Sequence, residues 1–285
     1  MFIVRDTPPV FEDVAEYVSR SVIAIAIGTR DDRSPNIVGT GFALRRAEFF
    51  ATSWHVSEIG EGISALSKAE MEEKGLIDDV FRIALPDGDG YEWHEIESDS
   101  LMCSHNKDHD VCVYRIIGAE VPPLQLLAGD QWSWGSEVGI IGFPMGSLLQ
   151  GVVLRPYVLK TVISGGLELP LPGGHKHTPR LALGISVAGG FSGGPVFSAR
   201  DGQVVGMISS QTIEKDELGS WPAGISLAVT PYLIRRELKR HTKKTDELIK
   251  RCLWPEFSGE EDEDEAKEIE PSEDMSEDGG LEDDE

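Results

Sequence analysis

Cysteine is scarce in this chain of 285 residues, where Cys103, Cys112 and Cys252 are the whole supply. An odd and small number excludes a disulfide framework and favours a reducing compartment. Long apolar runs are missing too. The stretch Val22-Ile23-Ala24-Ile25-Ala26-Ile27 is far shorter than the roughly 20 residues a membrane-spanning helix needs. The N-terminus lacks the basic flank of a secretory leader, because Asp6, Glu12, Asp13 and Glu16 stand where positive charge would be required. A soluble, cytoplasmic protein with no membrane association is expected. Positive charge is also in deficit: 26 Lys and Arg face 50 Asp and Glu, a net charge of −24, and such a surface repels phosphate backbones. No nucleic-acid partner is expected.

The deficit is uneven. Residues 260–285 hold 16 acidic side chains and the single Lys267, a net of −15, and leave −9 for the rest of the chain. With almost no large apolar residue this tail cannot offset its ordering entropy, so residues 256–285 are predicted to be a disordered acidic tail. Before it, Pro231 opens a predicted helix over 231–255 that is rich in Arg and Lys. Its net charge of about +5 beside a tail of opposite sign reads as a solvated face and a solubility tail, with docking of one on the other as the alternative. At the other end, Phe11, Val14, Ala15 and Val18 recur at helical spacing and predict a helical segment within residues 1–20.

Between these ends the pattern is β. Residues 21–28, 36–44 and 48–52 are short runs rich in Val, Ile and Phe separated by polar turns. Val80–Leu85 and Tyr91–Ile96 flank the turn Pro86-Asp87-Gly88-Asp89-Gly90, and further runs follow at 110–116, 137–143, 152–164 and 181–186. Many short strands at close spacing predict a barrel or sandwich. The charged stretch 63–75 reads as an insertion, residues 121–136 as a connection between two barrels, and 170–179, with His175 and His177, as a loop.

Chemistry concentrates in Gly189-Gly190-Phe191-Ser192-Gly193-Gly194-Pro195-Val196, a serine set among four glycines. Glycines allow main-chain N–H groups to converge on a substrate oxygen, so Ser192 reads as a nucleophile. The segment matches Gly-x-Ser-x-Gly, yet it is not a strand-to-helix elbow. An Asp201-Gly202 turn and Val204-Val205-Gly206-Met207-Ile208 follow it as a hairpin, and only His241 lies downstream. A base and its orienting carboxylate are therefore sought upstream, in the order His, Asp, Ser.

Gly39-Thr40-Gly41-Phe42-Ala43-Leu44 and Phe49-Phe50-Ala51-Thr52-Ser53-Trp54-His55-Val56 supply the histidine, His55. Asp108-His109-Asp110-Val111-Cys112-Val113-Tyr114 supplies the carboxylate, with Asp110, next to the β-run, preferred over Asp108. A purely structural His55, or an Asp110 that only starts a strand, is the plainer reading of each taken singly. Cys103, His105, His109 and Cys112 could together hold zinc, but their spacing matches no usual zinc signature.

Taken together, these segments resemble the trypsin-like (chymotrypsin-fold) serine peptidases, nearest the HtrA-type branch, over about residues 21–230. The resemblance implies an all-β fold of two six-stranded antiparallel β-barrels with a C-terminal helix. It implies a His55–Asp110–Ser192 triad, an oxyanion hole formed by the N–H groups of Gly190 and Ser192, no metal and no cofactor, and polypeptide substrates. A pocket lined by Ser186, Ser209, Gln211, Gly224 and Ser226 would receive the side chain before the cleaved bond. The run Ala223-Gly224-Ile225-Ser226-Leu227-Ala228-Val229 is similar to a Gly-Ile-x-Phe-Ala segment of that branch, with Leu227 in place of Phe. Phe191 stands where many secreted relatives carry an Asp that pairs with a new N-terminal amine, so activation by that ion pair is excluded. No PDZ-like region is expected after residue 229. The alternative function is a catalytically silent module that binds proteins through the same fold. Oligomeric state is left open.

Overall fold

A computed structural model describes residues 10–29, 35–44, 49–58, 79–88, 90–95, 102–115, 121–129, 132–144, 154–170, 177–209 and 225–252. The expected insertion at 63–75 and the acidic tail lie outside these residues. The chain divides into a compact unit of residues 1–245 and a second of 246–285, of which only the end of a helix is described.

Helix α1 (Phe11–Ser19) buries Val14, Ala15 and Val18, the stripe its spacing predicts. It is followed by β1 (Val22–Thr29), β2 (Asn36–Ala43), β3 (Phe49–Thr52), β4 (Asp79–Asp87), β5 (Gly90–Glu95), β6 (Met102–Asn106) and β7 (Val111–Arg115). These seven strands form one antiparallel sheet in the order β5-β4-β1-β2-β3-β7-β6. The second lobe contains β8 (Glu137–Gly142), β9 (Tyr157–Pro170), β10 (His177–Leu183), β11 (Pro195–Ser198), β12 (Val204–Ser209) and β13 (Ser226–Val229), closed into a barrel in the order β10-β13-β12-β11-β8-β9. Helix α2 (Pro231–Cys252) follows directly on β13.

The fold is thus the mostly β, two-lobed architecture with a C-terminal helix that the resemblance implies. Three details differ. The first lobe has seven strands where six are expected, because β6, polar at Ser104, His105 and Asn106, has no apolar alternation to announce it. One 14-residue strand, β9, replaces two short ones; its partners β8 and β10 pair with successive parts of it and keep Gly165-Gly166 extended. His177 lies on β10 and not in a loop, since Thr178 and Arg180 face inward from that strand and are buried.

Two apolar cores fill the lobe interiors, one around Ile25, Phe50 and Val56, the other around Ile140, Leu181 and Ile208. A third joins the lobes, with Phe42, Phe49 and Val113 packed in one cluster with Ile141, Phe143 and Phe197, and Leu233 and Ile234 of α2 belong to it. The connecting segment is tied to both sides: Leu124 N–H donates to Ala43 O at 2.9 Å, and Val204 N–H to Gln125 O at 2.8 Å. This seam of buried side chains and main-chain bonds sets the distance between the segments bearing the candidate residues.

Candidate active site

His55 lies one turn after β3, in the helical stretch 54–58 that begins where Ser53 O accepts the N–H groups of Val56 and Ser57. Asp110 ends the turn between β6 and β7. It is the one non-glycine residue with positive φ (53°) among the described residues, and its N–H donates to Lys107 O at 3.1 Å. Asp tolerates this left-handed backbone better than most side chains. Because β3 pairs with β7, with Thr52 opposite Cys112, the two segments emerge side by side.

The contact between them is specific. His55 Nδ1 donates to both carboxylate oxygens of Asp110, at 2.8 and 3.0 Å, and the His55 main-chain N–H donates to Oδ1 at 3.0 Å. Ser209 Oγ donates to Oδ2 at 2.5 Å, so the buried carboxylate is held from β12 of the other lobe as well. Asp108 is exposed. With Nδ1 engaged, Nε2 points the other way, and 31% of the His55 side chain remains exposed. A buried carboxylate that accepts from Nδ1 fixes the ring orientation and the tautomer whose other nitrogen can take a proton. Lys107 Nζ sits 5.0 Å from the centroid of the Trp54 ring and braces the same two segments from outside.

Ser192 is the second residue of the latter of two successive tight turns. Phe191 N–H donates to Ala188 O at 3.4 Å, and Gly194 N–H to Phe191 O at 2.8 Å. The third residues of these turns, Gly190 and Gly193, have φ of 90° and 84°, the left-handed values a type II turn requires there. Phe191 is buried in the core of the second barrel with Val138, Ile140 and Val196. The loop is therefore anchored by apolar burial at the position where an ion-paired Asp is absent.

Main-chain and hydroxyl bonds tie this loop to the lobe that carries His55. Thr40 on β2 donates its N–H to Ser192 O at 2.8 Å and its Oγ1 to Gly190 O at 2.6 Å, and it accepts Phe143 N–H at 3.0 Å. Thr52 Oγ1 donates to Thr40 O at 2.7 Å, and Ser53 Oγ to Ile208 O at 2.9 Å. Gly193 N–H donates to that same Ile208 O at 2.8 Å. Thr40, Thr52 and Ser53 thus place Ser192 beside the segment that carries His55. In the sequence their role has only one trace, a polar Thr40 set between Gly39 and Gly41 in an otherwise apolar run.

The residues expected to line the pocket have separate partners. Ser209 turns its hydroxyl to Asp110, Ser226 Oγ accepts Val187 N–H at 3.0 Å, and Ser186 is exposed. Gln211 and Gly224 lie outside the described residues. Of the zinc alternative, His109 Nδ1 lies 2.8 Å from Thr178 Oγ1 and Cys112 is buried on β7, while the Cys103 and His105 side chains fall outside the description.

Behind Asp110 the polar residues are deeply buried. Burial, and then the positive charges of Arg236 and Arg180, lower the pKa of His109 from about 6.5 to about 4. The folded state thus binds fewer protons here than the unfolded chain between those two values. Stability from this site is present above pH ~6.5 and is lost as pH falls towards ~4, with a slope of at most ~1.4 kcal/mol per pH unit. Urea midpoints across this range should fall with pH in the wild type and flatten in His109→Gln. Equal pH dependence in both would show that His109 does not carry the effect.

A family model described as a trypsin-like peptidase domain matches residues 39–207, more than half of the chain. The chain belongs to this trypsin-like peptidase family. Its fold is shared by solved structures of low sequence identity. The crystal structure of Deg5 has a TM-score of 0.54 at 19% identity, covering 79% of this chain and 90% of that one. The active form of the Rv3671c protease from M. tuberculosis has a TM-score of 0.54 at 19% identity, covering 84% and 92%. The HtrA-type protease AlgW, solved with a tripeptide, has a TM-score of 0.56 at 16% identity, covering 83% and 65%. Among curated proteins none matches significantly.

Proposed function

We propose that the chain is a serine endopeptidase that cleaves peptide bonds in polypeptide substrates. The observation that carries this reading is the two-pronged Asp110–His55 contact, with the Ser192 loop bonded through Thr40 to the same lobe. Ser192 Oγ attacks the substrate carbonyl carbon while His55 Nε2 takes its proton. The tetrahedral intermediate collapses, the C–N bond breaks, and His55 returns the proton to the leaving amine. Water then releases the acyl group by the same steps. Asp110 keeps Nδ1 protonated and stabilises the imidazolium, and Ser209 and the His55 main-chain N–H hold its carboxylate in place. The type II geometry at Gly190 turns that N–H away from the closing bond of its own turn, which supports it as an oxyanion donor together with Ser192 N–H. The low cysteine count supports a cytoplasmic setting.

A fluorophosphonate probe tests the reading directly. One probe per chain, abolished in Ser192→Ala, is the expected result, and no labelling of the wild type would leave the fold to a binding role. The substrate preference follows from the pocket residues, none of which is acidic. A Lys or Arg side chain would lose its hydration there with no buried carboxylate to receive it. Cleavage is expected after Val, Ala, Leu or Met, with discrimination of about 1–3 kcal/mol among them. Sequencing the products of a denatured protein checks this, and a majority of cuts after Lys or Arg would overturn the pocket assignment while leaving the triad reading intact.

A further inference from the structure

Arg180 is the largest fully buried side chain among the described residues. It comes from β10 of the second barrel and reaches the Asp110 turn of the first lobe. Its Nη2 donates to His109 O at 3.0 Å, the carbonyl immediately before Asp110. Its Nη1 donates to Thr178 Oγ1 at 2.9 Å and, more weakly, to Pro179 O at 3.4 Å. Thr178 Oγ1 in turn lies 2.8 Å from His109 Nδ1. With His109 neutral, a chain of donors runs from the guanidinium through the threonine hydroxyl to the imidazole. His109 N–H is held by Asn106 Oδ1 at 3.1 Å. The turn is thus gripped at the carbonyl, the amide and the side chain of the residue preceding Asp110.

Such a grip has a physical purpose. Asp110 adopts a left-handed backbone, which an L-residue leaves readily unless its surroundings hold it. A buried guanidinium is also costly to desolvate, and burial lowers the pKa of Arg180 to about 10 against the opposing attraction of Asp110. Arg180 Nε has no hydrogen-bond partner among the described residues. A merely packed core would place an aliphatic side chain here. The other charged groups acting on this turn are Asp108 within it and Arg236 and Glu237 of α2.

We propose that Arg180, through Thr178 and the His109 carbonyl, is a positioning residue that locks the Asp110 turn and thereby aims the carboxylate at His55. The inference rests on the peptidase reading above only for its kinetic consequence. The guanidinium lies behind the carboxylate and meets no substrate, so it acts on turnover and not on binding.

The test uses the full chain and two variants. Arg180→Met keeps much of the volume and removes the donors; kcat is expected to fall about 100-fold with KM nearly unchanged, the loss associated with a small misplacement of a catalytic group. Arg180→Lys, with one charged donor, should recover part of it. Thr178→Val keeps the strand packing and breaks the link to His109, with an expected loss of about 10-fold; it carries the test if Arg180→Met does not fold. In each folded variant the far-downfield proton resonance of His55 Nδ1–H should weaken or shift, a signature that loss of global stability alone would not produce. Unchanged kcat and an unchanged His55 resonance in Thr178→Val and any folded Arg180 variant would overturn the proposal. If the wild type fails to react with a fluorophosphonate, the peptidase reading falls separately, and the His55 resonance still decides whether Arg180 positions the turn.

Discussion

Ser192→Ala and His55→Ala are each expected to reduce hydrolysis of an unfolded protein substrate to background while leaving the melting temperature nearly unchanged. Neither side chain is a large apolar contributor to the cores, so losing it opens little cavity. The proposed chemistry depends on both, because a serine hydroxyl is a weak nucleophile without a base to take its proton, and that base must return the proton to the amine. Asp110→Asn is expected to retain the fold and lose about 10⁴-fold in turnover, since an amide in place of the carboxylate favours the wrong His55 tautomer. Asp108→Asn, altering an exposed carboxylate, should leave turnover within a few-fold. Hydrolysis by purified Ser192→Ala above a mock preparation would end the serine-peptidase reading. A 10⁴-fold loss in Asp108→Asn with an active Asp110→Asn would transfer the orienting role to the neighbouring acid.

Gly193→Ala should be the most damaging single-methyl substitution around the site. A Cβ at this position would overlap the Thr40 carbonyl oxygen and the Thr52 hydroxyl, which bond to each other and so hold in place the Thr40 whose N–H and hydroxyl reach the Ser192 loop. The residue also has φ of 84°, so the backbone would be strained even with space available. Left-handed strain of about 1–2 kcal/mol and overpacking of about 1–3 kcal/mol together predict a loss of about 3 kcal/mol. For a unit of this size that is a fall of about 10 °C in melting temperature. Because relief of the overlap must push Ser192 away from Thr40 or shift the segment leading to His55, labelling by a fluorophosphonate should slow by about 100-fold or more. Thermal unfolding and labelling rate measured on the same preparation check both effects. A variant that melts and labels like the wild type would show that the loop does not depend on this close approach.

Much of the chain could be read before folding because its signals are local. The hairpin of β11 and β12 is written in Pro195-Val196-Phe197-Ser198, the Asp201-Gly202 turn and an apolar run; α1 in a stripe of Phe11, Val14, Ala15 and Val18; and the β3-to-His55 segment in a short ordered pattern. Alternation, turn residues and glycine spacing act over a few residues, so they also excluded a strand-to-helix elbow at Ser192 and pointed upstream for its partners. The order of strands in the barrel, the seventh strand of the first lobe and the length of β9 depended on which edges met, and pairing partners as far apart as Phe49 and Arg115 leave no local trace. The polar contacts around His55, Asp110 and Ser192 are of this second kind. Ser209 reaches Asp110 across 99 positions, Thr40 reaches Gly190 across 150, and Ser53 reaches Ile208 across 155. Arg180 shows the reason most plainly. In sequence it is one more charged residue on a polar strand segment. Only closure of the second barrel against the first lobe buries it behind Asp110, where the cost of desolvating a guanidinium makes its partners matter.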